Sequence, residues 1–235
     1  MDVKIENQFR SPYGVPNGLQ LVDEGLWIVD QVTDRVALMS MKDEDKDDYY
    51  GNRRLLKDIP SESSNTSGMA VGDGSLWIAA NGPGKTWRLP RDTDAPQGEI
   101  LRVDPDTGET QGRWAVPTGG GTHGVEYDNI ELGTIWVTTL KEQTITQMRI
   151  ENWSVIRSLK LPLSRAHGVV RMEEDSIWVV HTGDRVIVKL DLSSNAELDR
   201  IVVPEPHPEP HGLSICEGGF LYCDATSGWV SKIAW

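Results

Sequence analysis

Four of the five histidines fall at matched places in this chain. His123, His167 and His211 are each followed by glycine and an apolar residue. Asn17 and Ser67 precede the same Gly-apolar pair, so these five positions form one set. A second set lies three residues after a recurring Trp position and holds Asp30, Ala80, Thr139, His181 and Asp224. His207 lies in the segment leading to His211. A neutral imidazole accepts a proton near neutral pH, which suits it to general base catalysis. Glu209-Pro210-His211 sets a carboxylate two residues before such an imidazole. Glu209 and Asp224 together offer hard oxygen ligands with open positions, which suits Mg²⁺. That cation can stabilise an enolate or carboxylate formed in a reaction. A rival reading makes His123, His167 and His211 a three-nitrogen site for Zn, Fe or Mn, provided their rings converge. A third reading is structural, with polar side chains lining a wet channel and hydrogen-bonding across it.

Other templates are absent. The chain has no Gly-x-Ser-x-Gly elbow, no P-loop and no dinucleotide fingerprint. Cys216 and Cys223 fall on apolar segments and read as core residues rather than a redox pair.

The elements that position these residues repeat. Gly25-Leu26-Trp27-Ile28-Val29, Ser75-Leu76-Trp77-Ile78-Ala79, Thr134-Ile135-Trp136-Val137-Thr138 and Ser176-Ile177-Trp178-Val179-Val180 are one phrase. Gly219-Phe220-Leu221-Tyr222-Cys223 is a degenerate fifth copy, and the steps are 50, 59, 42 and 43 residues. Such a period, with short apolar β-rich runs, marks one propeller blade per repeat. Alternating runs such as Arg185 to Asp191 follow the Trp phrase and mark a third strand. A fourth strand ends at proline in Ile59-Pro60, Val116-Pro117, Leu161-Pro162 and Val203-Pro204, because proline cannot donate to the ladder. The last copy lacks a fourth strand, and Val3 to Phe9 is an alternating strand without a blade. The expectation is an all-β, five-bladed β-propeller over residues 1–235, with four antiparallel strands per blade. The N-terminal strand closes the ring and removes two open edges. The Trp side chains then pack between adjacent blades.

The chain has 235 residues and a formal net charge of −13. That acidity excludes nucleic acid and anionic membrane surfaces as partners, since both require a basic face. The start, Met1 to Arg10, has neither the basic nor the apolar block of a signal peptide, so a cytoplasmic location is expected. A monomer acting on a small molecule is the expected form. Two loops break the period. Lys42 to Asp48 is acidic and reads as a solvated loop, with calcium binding the sharper alternative. Asn81 to Gln97 carries Lys85, Arg88 and Arg91 and should share the active face, where a small anionic substrate would meet Lys85 and Arg88. Asn17, His123 and His181 complete the expected substrate contacts.

The repeated His-Gly-apolar and apolar-Trp-apolar phrases, with Glu209-Pro210-His211-Gly212, resemble those of the virginiamycin B (streptogramin B) lyases. The phrases cover nearly the whole chain. In that family a Glu-x-His-Gly motif supplies a Mg²⁺-ligating Glu and a base His. A further acidic ligand follows about one hairpin later, and a substrate-contacting His comes one blade earlier. The resemblance implies His211 as base, Glu209 and Asp224 as metal ligands and His167 as the substrate-contacting His. It also implies a β-elimination that breaks a C–O bond without water. The lyases have seven blades where five are counted here. A lactonase or esterase-type hydrolase using the same pocket, and a non-catalytic binding propeller, are the competing functions.

Overall fold

The computed structural model describes residues 2–47, 51–117 and 120–235. Five four-stranded antiparallel sheets form five blades. Blade one runs Pro16–Val22, Gly25–Asp30, Val36–Met39 and Leu55–Ile59. Blade two runs Thr66–Gly72, Ser75–Ala80, Glu99–Val103 and Thr110–Ala115. Blade three runs Val125–Tyr127, Thr134–Thr139, Thr144–Arg149 and Ser154–Lys160. Blade four runs Ala166–Glu173, Ser176–His181, Val186–Asp191 and Glu197–Val202. Blade five takes Leu213–Cys216, Gly219–Cys223 and Trp229–Ala234 from the C-terminus. Its outer strand is the N-terminal Lys4–Arg10, paired Ile5 to Ile233, so the ring closes as the sequence predicts. Among the described residues the only helical pieces are two three-residue 3-10 turns, and no helix is long and apolar enough to cross a membrane.

The core is five clusters, one at each blade interface. Trp27 packs with Leu76 and Ile78 of blade two, and Trp77 with Ile135 and Val137 of blade three. Trp136 meets Ile177 and Val179, while Trp178 meets Phe220 and Tyr222. Leu221 takes the Trp place in the fifth interface, against Leu19 and Ile28 of blade one, with Phe9 from the closing strand. Each Trp thus removes a large apolar surface from water at a joint between sheets. Both cysteines are free thiols, and Cys223 is fully buried in the last cluster.

At the axis the backbones themselves touch. A methyl group on Gly18 would lie 2.6 Å from the Gly68 Cα, and one on Gly68 would lie 2.6 Å from the His123 carbonyl oxygen. The same holds from Gly124 to His167, from Gly168 to Leu213 and from Gly212 back to Gly18. Only glycine allows this approach, which sets each inner strand against the next. Gly124→Ala puts its methyl 1.9 Å from the His167 carbonyl oxygen. We expect it to destabilise the fold by about 1–3 kcal/mol or more. Gly14→Ala, with open space around it, should stay within about 0.5 kcal/mol of wild type. Urea unfolding of the two variants checks this pair.

Candidate active site in the axial pocket

The residue before each axial glycine lies near the start of an inner strand, and at four of the five places it faces an axial pocket, whereas Ser67 is buried with its hydroxyl donating to the Asn65 carbonyl at 3.0 Å. Asn17, His123, His167 and His211 all line one axial pocket of about 360 Å³. The His123 and His167 rings lie 4.1 Å apart between centroids, and those of His167 and His211 4.9 Å. Burial is the main cause that keeps all three neutral. It pushes His123 down to about 3 and His211 to about 4, and holds His167 well below the ordinary range.

Hydrogen bonds fix one tautomer. The Thr182 hydroxyl donates its single proton to the Pro210 carbonyl at 2.8 Å. It can therefore only accept from His167 Nδ1, also at 2.8 Å, and the Arg165 carbonyl accepts from the same nitrogen at 3.0 Å. Nδ1 carries the proton and Nε2 carries the lone pair. Among the described residues Nε2 has no partner. His167 thus presents a proton acceptor whose direction is set from behind. His211 is less defined, since its Nδ1 lies 3.2 Å from the Glu209 carbonyl and 3.4 Å from the Ala225 amide.

Glu209, His211 and Asp224 bring one ligand atom each within 4.8 Å of one another, the only such group among the described residues. His211 Nε2 is 3.7 Å from Glu209 Oε2, and its Nδ1 is 3.9 Å from Asp224 Oδ1. Loss of hydration raises the Glu209 carboxyl above its ordinary range, with Asp224 adding to the rise and Arg165 opposing it. A divalent cation fits this donor set, because two carboxylates and an imidazole would gain the positive charge they lack. Asp224 also has a structural duty. It accepts from the Thr226 amide at 2.7 Å and from the Ser227 hydroxyl, closing the turn after its strand. Both carboxylates open onto a neighbouring groove of about 440 Å³ shared with Arg185 and His207, while His211, within 4 Å of an oxygen of each, lines the axial pocket.

Several expected contacts fall elsewhere. The three imidazoles touch, but the grouping of ligand atoms among the described residues falls on Glu209, His211 and Asp224 and not on the three histidines. His167 Nδ1 is held by Thr182 and Arg165, and His123 Nε2 by Asn81 at 2.8 Å. His181 lies outside the pocket with Nδ1 on the Ser164 carbonyl at 3.2 Å. The strand pleat explains this, since a shift of one residue reverses the face. The pocket instead receives the next position, through Gln31, Asn81 and Ala225. Arg88 is also engaged elsewhere. It bonds Asp34 at 2.9 Å and Asp94 at 2.6 Å, and Arg91 joins Asp34 at 2.9 Å. These pairs hold the blade-two loop against blade one. Lys85 is exposed and is not among the pocket walls, although Pro83, Gly84, Thr86 and Trp87 of that loop are. In the acidic loop Asp45 bonds Ser40 and Arg54, while Asp48 lies outside the described residues.

The repeated phrases do not mark Gln31, Asn65, Asn81, Thr182 or Arg165 as site residues. Gln31 accepts from the Asn17 amide at 2.9 Å and donates to Asn65 at 2.7 Å, giving the pocket an amide wall opposite the imidazoles. Arg165 stands two residues before His167, the place that Glu209 holds before His211. That equivalence was a signal available in the repeat.

The neutral imidazoles give a measurable pH behaviour. On unfolding they protonate near 6.5, whereas the folded His123 and His211 resist protonation down to about 3 and 4. The unfolded chain binds more protons in that window, so this contribution is complete above about 6.5 and is lost as pH falls towards 4. Ring-proton NMR should show His123, His167 and His211 not titrating between pH 5 and 8. Titration of any of them near 6.5 would contradict the desolvated cluster.

No family model and no curated protein matches this sequence. Among solved structures, a glutaminyl cyclase of Myxococcus xanthus is similar over 98% of this chain and 95% of its own, at 9% identity and a TM-score of 0.66. A catalytically inactive virginiamycin B lyase of Staphylococcus aureus, solved with quinupristin, is similar over 96% of this chain and 68% of its own. That match has 18% identity and a TM-score of 0.55. A selenomethionine form of virginiamycin B lyase from the same organism gives 12% identity and a TM-score of 0.56 over 100% of both chains. At these identities the likeness is one of fold, and this chain is a five-bladed propeller that resembles the virginiamycin B lyase-like propellers.

Proposed function

We propose that this chain is an enzyme that carries out β-elimination on a small carbonyl compound in the axial pocket. The observation that carries the reading is the neutral His167, whose Nε2 lone pair is fixed by Thr182 and the Arg165 carbonyl. His167 Nε2 takes the proton alpha to the carbonyl. As the ring becomes cationic, its Nδ1–H bonds to Thr182 and Arg165 strengthen, because both acceptors are already in place. The C–O bond beta to that carbon breaks, and its electron pair leaves with the oxygen. The Asn17–Gln31–Asn65 wall orients the substrate through amide hydrogen bonds. Glu209, His211 and Asp224 are the residues that would hold a divalent cation, with Mg²⁺ favoured. When bound, that ion would supply positive charge to offset the negative charge that develops on the substrate. The family resemblance in the Glu209-Pro210-His211-Gly212 motif supports the same reaction with His211 as base, so the two histidines are compared directly.

A second reading is hydrolysis or an intramolecular cyclisation in the same pocket. The cyclisation is suggested by the name of the glutaminyl cyclase whose fold this chain shares at 9% identity. Turnover of 3-acyloxy and 3-alkoxy carbonyl compounds in isotopically labelled water separates the readings. Elimination gives a conjugated alkene without solvent oxygen, whereas label in the product acid sinks it. His167→Gln is expected to lower kcat by about 10²–10⁴, the usual loss of a general base. A larger loss in His211→Gln, with His167→Gln near wild type, moves the base to His211. Mg²⁺ or Mn²⁺ at about 100 times Kd should raise Tm by several degrees in wild type and not in Glu209→Gln. Glu209 is the cleaner test, since Asp224→Asn also weakens a turn.

A further inference from the structure

The axial pocket has an electrostatic character opposite to that of the chain. The protein carries −13 overall, yet no carboxylate lines this pocket. Glu209 and Asp224 open onto the groove behind His211. The one charged residue on the pocket wall is Arg165. Its side chain is exposed, and among the described residues its guanidinium makes no hydrogen bond and no ion pair within 4 Å, although its charge reaches Glu209 in the neighbouring groove. The nearby Arg88 and Arg91, by contrast, are neutralised by Asp34 and Asp94. Arg165 adopts a left-handed backbone with φ 51°, and Asn65, at the equivalent place in blade two, has φ 60°. Both residues line the pocket mouth from these turns. The Arg165 carbonyl is already occupied by His167 and by the Thr182 amide, which fixes the backbone from which the guanidinium extends.

We propose that Arg165 is the anion-binding residue of the axial pocket and that the substrate is a small organic molecule bearing a carboxylate. A guanidinium presents parallel donors that match a carboxylate in a bidentate pair. A single unpaired cation in a partly enclosed, acid-free pocket draws an anion more strongly than the same charge on an open surface. The pocket's volume of about 360 Å³ is at the low end of ligand sites, which limits the occupant to a small molecule. Trp87, 45% exposed, gives an apolar wall at the mouth, and the amides of Asn17, Gln31 and Asn65 give polar contacts below. An organic carboxylate uses both kinds of wall, whereas inorganic phosphate has no apolar part to set against Trp87. This proposal rests on the axial pocket being the substrate site. It does not depend on the metal or on elimination.

The test is calorimetric titration of chelator-treated protein with succinate, inorganic phosphate and succinamide, at low and moderate salt. Succinate should bind, weaken with salt and bind at least tenfold more weakly to Arg165→Gln. Arg165→Lys should keep part of the affinity, and Lys85→Gln all of it. Equal binding of succinate to wild type and Arg165→Gln overturns the assignment, as does equal binding of succinamide and succinate. Phosphate binding without succinate binding overturns the carboxylate class, and no binding of either anion overturns the site. Binding is read without metal and without turnover. Failure to find elimination therefore leaves an Arg165-dependent carboxylate site standing, and Arg165-independent binding removes this proposal while leaving elimination open.

Discussion

The structure depends on the closeness of the five inner strands around the axis. Glycine at Gly18, Gly68, Gly124, Gly168 and Gly212 lets each backbone press on the next, and Gly212 closes the circle against Gly18. Side chains larger than hydrogen would push the blades apart. At four of the five places the residue before the glycine then lines the axial pocket. Three of those residues are histidines, so a packing constraint on the backbone becomes a contact between imidazoles 4.1 and 4.9 Å apart. The large clusters around Trp27, Trp77, Trp136 and Trp178 keep the blades at that distance by burying apolar surface at each joint.

Burial also sets the chemistry. Removing three imidazoles from water in one place disfavours their charged forms, and the positive charge of Arg165 adds to the effect. The outcome is a set of neutral nitrogens, one of which has its lone pair directed by a hydroxyl that must donate elsewhere. The same desolvation raises Glu209, a carboxylate with a histidine and an aspartate near it and no paired cation. The imidazole pocket and the carboxylate groove are thus separate electrostatic environments joined by one ring, His211. Glu209 and Asp224 line the groove and not the axial pocket, while each has an oxygen within 4 Å of a His211 ring nitrogen.

The repeat made the fold legible. Trp spacing, the recurring Gly and the proline stops mark five blades because each blade solves the same packing problem with the same residue types. The unpaired first strand and the missing last one likewise point to closure. The imidazole ring and the Glu209–His211–Asp224 grouping could be read for the same reason, since equivalent positions in a repeat share a direction. The Trp strand reaches the pocket one residue later than its spacing predicts, so His181 falls on the other face while Gln31, Asn81 and Ala225 enter the pocket.

By itself, the sequence determined the blade count, the order of strands and the residues that surround the axis, because these follow from local pattern and periodic packing. Only the tertiary structure decided which charges are available. Arg88 and Arg165 look alike in sequence, yet Asp34 and Asp94 fold against one and nothing pairs the other among the described residues. Likewise the base-competent nitrogen of His167 depends on Thr182 and on Pro210 of the next blade, 28 positions away from Thr182. Charge pairing and tautomer depend on contacts between segments distant in the chain, and the periodic pattern carries no record of them.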